Sequence, residues 1–253
     1  MTLLGAGLAL LVGFVLGLLG GGGSVLTVPI LLYALHVPVK PAIAASLCVV
    51  GLVAFIGFLS HWRQGTVATR VALVFGPSAV VSAFAGARIA KHVPADVQII
   101  AFALIGLLGS VMMIRSSLRK KSMADEGAYE FHADARMVAL LVLEGIGVGL
   151  ITGLIGVGGG FLIVPALVFV AKLPMRLAVG TSLLVIAMNA FSGFLGYVGT
   201  VPVDWHLVLW FVAVAALGSV LGTRLSKRLP QRTLKQVFGV LLIGVSLYVL
   251  YRQ

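Results

Sequence analysis

Long apolar runs, separated by short clusters of Gly, Pro and basic residues, follow one another along almost the whole chain. They fall at about 3–19, 24–37, 41–60, 67–87, 95–114, 137–155, 160–173, 177–199, 203–223 and 232–250. All are too long for buried strands, and most approach the roughly 20 residues a helix needs to span hydrocarbon. The pattern predicts an all-α polytopic integral membrane protein with about eight to ten membrane segments. A single long polar stretch interrupts it, RSSLRKKSMADEGAYEFHADAR at 115–136, which mixes both charges and cannot cross a bilayer. It reads as a linker between a first unit, 1–114, and a second, 137–253.

The two units repeat each other. Adding 136 to a residue number in 13–114 lands on its counterpart in 149–250 without a gap, and 30 of the 102 paired positions are identical. Gly13, Gly17, Gly20, Gly22, Gly23, Pro29 and Pro38 pair with Gly149, Gly153, Gly156, Gly158, Gly159, Pro165 and Pro174. Generic hydrophobicity would exchange Leu and Val freely but would not hold Gly and Pro in register. Duplicated halves are a common way to build secondary transporters, with the site at the repeat interface.

Composition narrows the function classes. Sixty per cent of residues are hydrophobic and 10% charged, against about 25% charged in soluble domains, so a soluble cofactor-binding domain is excluded and no cofactor is expected. The net charge of +11 would suggest nucleic acid in a soluble chain. Here the basic residues lie mostly between apolar runs and read as topology signals, leaving the lipid bilayer and a small anion as the expected partners, no nucleic acid, and a homodimer open. Cys48 is the lone cysteine and lies within an apolar run, so no disulfide framework exists. Met1 is followed directly by apolar residues, without a basic n-region, and no cleavable signal peptide is expected.

Charge also discriminates between threadings. If 3–37 is one broken crossing, the halves are parallel and 10 Lys+Arg face 8. If 3–37 is a hairpin that returns to its starting side, each half crosses an odd number of times and the halves are inverted. Fourteen basic residues, including Arg63, Arg70, Lys120, Lys172, Arg224 and Lys235, then share one side with the linker, against Lys40, Arg88, Lys91 and Arg252. The inverted repeat is the expected arrangement, each half a Gly-broken hairpin plus three transmembrane helices, with a cytoplasmic linker and external termini.

The candidate chemistry clusters at GLLGGGGSVLTVPIL (17–31) and its repeat GLIGVGGGFLIVPAL (153–167). Glycine runs break a helix in lipid, and the exposed backbone groups must then be satisfied by protein, water or solute. A helix restarting near Ser24 or Gly160 would aim N–H groups and a positive dipole end at an anion. Gly21, Gly22, Gly23, Ser24, Gly158, Gly159 and Gly160 are therefore candidate substrate contacts, whereas Gly13, Gly17, Gly149 and Gly153 read as packing glycines, and Gly13→Ala is expected to be tolerated. Ser46, Thr181 and Ser182 begin an apolar helix in each half, where their hydroxyls either orient an oxyanion or bond to their own backbone. Asn189, standing where the first half has Val53, is either a substrate contact or interhelical glue. Glu144 is the one carboxylate in the interior of an apolar run rather than at its edge, and a candidate for proton coupling.

These paired Gly/Pro segments, the GTSL run at 180–183 and the basic stretches GARIAKHVP (86–94) and GTRLSKRLP (222–230) resemble the TauE/SafE family of sulfite and organosulfonate exporters. The resemblance spans nearly the whole chain. It implies secondary transport of a small sulfur-containing or carboxylated anion (sulfite, or a sulfonate such as sulfoacetate) across the cytoplasmic membrane, most naturally export by alternating access, coupled to the membrane potential or a proton gradient. The first half departs from the pattern with Ala44-Ala45-Ser46 in place of Gly180-Thr181-Ser182, so the half-sites are expected to be unequal. A passive anion channel is the alternative reading. An intramembrane enzyme would need a nucleophile or metal set; no HExxH or GxSxG is present, and His36, His61, His92, His132 and His206 lie near segment ends or in the linker. A reporter fused to the C-terminus should report the outside and one inserted near residue 125 the cytoplasm; the same side for both would exclude the inverted threading.

Overall fold

The computed structural model describes residues 3–118, 134–155, 160–226 and 228–252. Among them are ten α-helices and no strand: α1 (Leu3–Leu19), α2 (Gly22–Pro29), α3 (Val39–Trp62), α4 (Thr69–Ala90), α5 (Ala95–Leu118), α6 (Ala135–Ile155), α7 (Gly160–Phe169), α8 (Met175–Tyr197), α9 (Trp205–Ser226) and α10 (Gln231–Arg252). Seven of them, α3 to α6 and α8 to α10, contain stretches long and apolar enough to cross a membrane. The protein is an all-helical, multi-pass membrane protein. Helix occupies both ends of the expected linker, since α5 continues to Leu118 and α6 starts at Ala135; 119–133 lie outside the described residues.

Local sequence explains the elements that repeat. Pro38 and Pro174 precede α3 and α8 with extended backbone, because proline fixes φ and supplies no N–H, which a helix start can spare. Pro29 lies inside α2, and a π-helical turn, Ile30–Ala34, follows it directly. The turn after that uses left-handed backbone at His36 (φ 54°), and its counterpart in the second half uses it at Lys172 (φ 53°). The closing bonds match as well: Val37 N–H to the Leu31 carbonyl at 2.9 Å and Leu173 N–H to the Leu167 carbonyl at 3.0 Å.

Both α1 and α2 belong to a hairpin. Gly23 packs against the Val12 carbonyl and Leu16, and Gly22 against Val15 and Leu19, so α2 runs back along α1. The helix restarts at Gly22 rather than near Ser24, because Gly20 and Gly21 suffice to make the reversal.

Packing between the halves recurs at the same 136-residue offset. Gly13 and Gly17 of α1 lie on Ala215 and Ser219 of α9, while Gly149 and Gly153 of α6 lie on Ala79 and Ala83 of α4; both pairs run parallel. Each half therefore donates its first helix to the other half. At the centre α3 and α8 run antiparallel, Gly51 beside Ala190, Gly57 beside Leu183 and Leu47 beside Gly193. Lipid tails are as apolar as Leu, so burial alone gives little reason for helices to associate; small residues that let backbones touch supply dispersion contact instead.

The expected tolerance of Gly13→Ala does not hold in this packing. A Cβ on Gly13 would run into the carbonyl oxygen of Ala215, and one on Gly149 into that of Ala79. Sequence spacing identified a packing glycine but not whether its neighbour was a movable side chain or a backbone. Gly13→Ala and Gly149→Ala should each cost about 1–3 kcal/mol by overpacking, measured as a lower midpoint of thermal unfolding in detergent, whereas Gly147→Ala, whose Cβ would meet no atom within 4 Å, should be neutral.

Candidate functional site

The hairpin tip is built by glycine. Gly20 takes φ +74°, a region an L side chain rarely enters. Its N–H still bonds to the Leu16 carbonyl at 2.8 Å, but the Gly21 N–H turns back to Leu19 at 2.9 Å. That diversion ends the helical ladder and leaves the Gly17 carbonyl without the N–H four residues ahead. Beyond the tip, α2 begins with N–H groups that have no partner inside their own helix and with a positive dipole end.

The start of α7 meets the start of α2. A Cβ on Gly160 would lie 2.7 Å from the Gly21 Cα, 2.7 Å from the Ile186 Cδ1 and 3.0 Å from the Ser24 Oγ. Ser24 and Gly160 are equivalent positions of the two repeats, so the halves meet at corresponding points. The structure thus brings Gly21, Ser24 and Gly160 together; Gly158 and Gly159 lie outside the described residues. Gly22 and Gly23 are buried and face back into α1.

Asn189 is fully buried on α8, and neither Oδ1 nor Nδ2 has a hydrogen-bond partner among the described residues. Its helical neighbours locate it. Ile186, three residues earlier, abuts Gly160, and a Cβ on Gly193, four residues later, would lie 3.9 Å from the Gly153 Cα. Asn189 therefore sits on the strip of α8 that follows the second hairpin across its break.

The four candidate hydroxyls divide into two groups. Ser46 and Ser182 donate to the carbonyls of Ile43 (2.9 Å) and Val179 (2.8 Å), equivalent bonds in the two halves, and Ser24 donates to Gly21 (2.7 Å). Of the two roles open to these hydroxyls, local backbone bonding is the one this conformation uses. Ser182 nevertheless reaches the first tip, since a Cβ on Gly20 would lie 2.5 Å from its Oγ. Thr181 points elsewhere: its Oγ1 accepts the Ala68 N–H at 2.9 Å and secures the α3–α4 connection. Glu144 is half-buried on α6, its Oε2 enclosed and without a hydrogen-bond partner among the described residues.

Two residues that composition and motif reasoning passed over stand at equivalent positions. The His61 Nε2 is 3.4 Å from the Gly17 carbonyl oxygen, and the Tyr197 hydroxyl donates to the Gly153 carbonyl at 3.2 Å. Both side chains are buried. Each thus reaches the last turn of its half's first helix, and Gln98 adds a bond to the Leu154 carbonyl at 2.6 Å. The signal existed in the alignment of the halves, which pairs His61 with Tyr197, two polar aromatic residues within apolar surroundings.

The sequence profile described as "Sulfite exporter TauE/SafE" matches residues 5–249. This chain belongs to the TauE/SafE family. It is 35% identical over 247 residues to a probable membrane transporter protein of Xylella fastidiosa strain Temecula1, covering 96% of this chain and 92% of that one. It is 28% identical to the probable membrane transporter protein YdhB of Bacillus subtilis (89% and 90% covered) and 26% identical to MJ0441 of Methanocaldococcus jannaschii (96% and 94%), also named a probable membrane transporter protein. No solved structure gives a significant match. As a TauE/SafE protein it is a membrane transporter, not an enzyme.

The geometry separates two neighbouring residues of this transporter. Thr181→Ala should cost about 1–3 kcal/mol because it leaves the Ala68 N–H short of an acceptor, whereas Ser182→Ala, which removes only a local bond, should stay within about 0.5 kcal/mol. Unfolding midpoints of the two purified variants check this, and equal values would contradict it.

Proposed function

We propose that this TauE/SafE protein carries a small oxyanion, sulfite or a sulfonate, out of the cell by alternating access, and binds it where the starts of α2 and α7 meet. The observation that carries the reading is the approach of Gly160 to Gly21 and Ser24, which opposes two helix starts across the repeat interface. Backbone N–H groups and two dipole ends favour an anion there without a basic side chain. Neutral donors suit turnover, because a desolvated Arg or Lys would hold a sulfonate too tightly. Asn189 supplies a buried amide whose Nδ2 donates to the anion, and Gly22, Gly23, Ser46 and Ser182 line or support the same region. Residues 1–114 and 137–253 are the two repeats, and Glu144 is a candidate proton relay.

The inverted arrangement supports alternating access. A two-fold relation that exchanges antiparallel α3 and α8 has its axis perpendicular to both, hence in the plane of a membrane they cross. Two hairpins entering from opposite faces then present equivalent tips to one site, and rocking of the halves exposes it to one side at a time. The fourteen-to-four charge asymmetry puts the linker in the cytoplasm.

Proteoliposomes preloaded with unlabelled sulfite should accumulate labelled sulfite transiently, a counterflow that a passive channel cannot produce. Asn189→Leu and Gly160→Val should lower that flux at least about tenfold, since each removes a donor or fills the approach between the helix starts. Counterflow at the wild-type rate in well-inserted Asn189→Leu would remove Asn189 from the site.

A further inference from the structure

The first hairpin has a second pole, on the other side of its break. Diversion of the Gly21 N–H to Leu19 leaves the Gly17 carbonyl at the negative end of the α1 dipole. Thr223 of α9 donates its hydroxyl to this oxygen, and His61 of α3 approaches it, both at the long distance of 3.4 Å. One turn earlier on α9, Ser219 is fully buried and its Oγ has no hydrogen-bond partner among the described residues. Gly57 lies beside it, one turn before His61, and a Cβ there would come within 2.9 Å of the Ser219 Oγ. Three helices therefore converge on a small group of neutral oxygens: the Gly17 carbonyl, the Thr223 hydroxyl and the Ser219 hydroxyl.

The second hairpin lacks this group. Ser219 and Thr223 correspond to Ala83 and Ala87, which pack against Gly153 in the same way, and the Gly153 carbonyl is met by the Tyr197 hydroxyl instead. Both positions thus accept alanine in this packing, so the hydroxyls of Ser219 and Thr223 are not needed to fill space. Two hydroxyls one turn apart, beside a carbonyl released from its helix, form a set of neutral oxygens of the kind that ligates a hard cation. No Asp or Glu stands on α1, α3 or α9, so the site lacks the carboxylates with which proteins hold divalent ions.

We propose that the Gly17 carbonyl and the Ser219 and Thr223 hydroxyls bind a sodium ion, and that this ion couples the hairpin to the transport cycle proposed above. The cation sits at the C-terminal end of α1 and the anion at the N-terminal start of α2, on either side of one glycine tip. Each ion thus occupies the dipole end that favours it, and binding of the cation stabilises the turn that presents the anion site.

Sodium binding can be measured with no anion transported. Purified full-length protein is heated in NaCl or in choline chloride at equal ionic strength, and binding of ²²Na⁺ is measured at equilibrium. A saturable sodium-specific rise in Tm is expected, with the apparent affinity lowered at least about tenfold in Ser219→Ala and Thr223→Ala and unchanged in Ser110→Ala on α5. Absence of ²²Na⁺ binding to the wild type would overturn the proposal, and so would binding undiminished in both variants. The ²²Na⁺ measurement on the wild type stands even if a variant fails to fold. Labelled sulfite flux under an imposed sodium gradient is a separate arm: sodium bound without sulfite movement would refute the sulfite reading and leave the cation site standing.

Discussion

In hydrocarbon a backbone N–H or C=O without a partner costs several kcal/mol, and the rest of this architecture follows from that constraint. A continuous helix meets it automatically. The first hairpin breaks the rule at its tip, Gly20-Gly21, and the groups released there must be met from other helices. The Gly17 carbonyl is approached by His61 and Thr223, and Gly153 and Leu154 are served by Tyr197 and Gln98. Polar side chains that look scattered along the sequence are thus brought to the hairpin ends.

The same constraint explains why the halves exchange their first helices. A hairpin with a short return helix cannot cover its own broken end, so it needs a full-length neighbour along its length. That neighbour is α9 for α1 and α4 for α6, and the glycines at 13, 17, 149 and 153 bring the backbones into contact. A partner contributed by the other half also ties each hairpin to the repeat interface, where a relative movement of halves is felt most directly. Transport by a rocking motion needs that connection, and the proposed sodium site at Gly17, Ser219 and Thr223 lies across the α1–α9 contact.

Several departures from symmetry lie around the hairpins. Asn189 replaces Val53, and Ser219 and Thr223 replace Ala83 and Ala87. In a symmetric pair the two tips would be chemically alike. Here Asn189 accompanies the second hairpin, while His61, Ser219 and Thr223 surround the first. Unequal tips are consistent with one substrate and one coupling ion sharing a duplicated scaffold.

The sequence by itself determined the class and the duplication. Apolar run length is a direct consequence of bilayer thickness, and glycine and proline mark breaks because no other residue has their backbone preferences, so ten segments and a gapless register could be read from residue order alone. It also located the first break, at Gly20-Gly21. Tertiary structure decided which groups face which. Whether Gly13 meets a side chain or the Ala215 carbonyl, whether Thr181 serves a solute or the Ala68 N–H, and that His61 and Tyr197 are equivalent contacts to a helix end all depend on the rotation and exchange of helices packed from the other half. Periodicity carries little of that information in lipid, because a membrane helix is apolar on every face and its orientation is set by backbone contact at a few small residues.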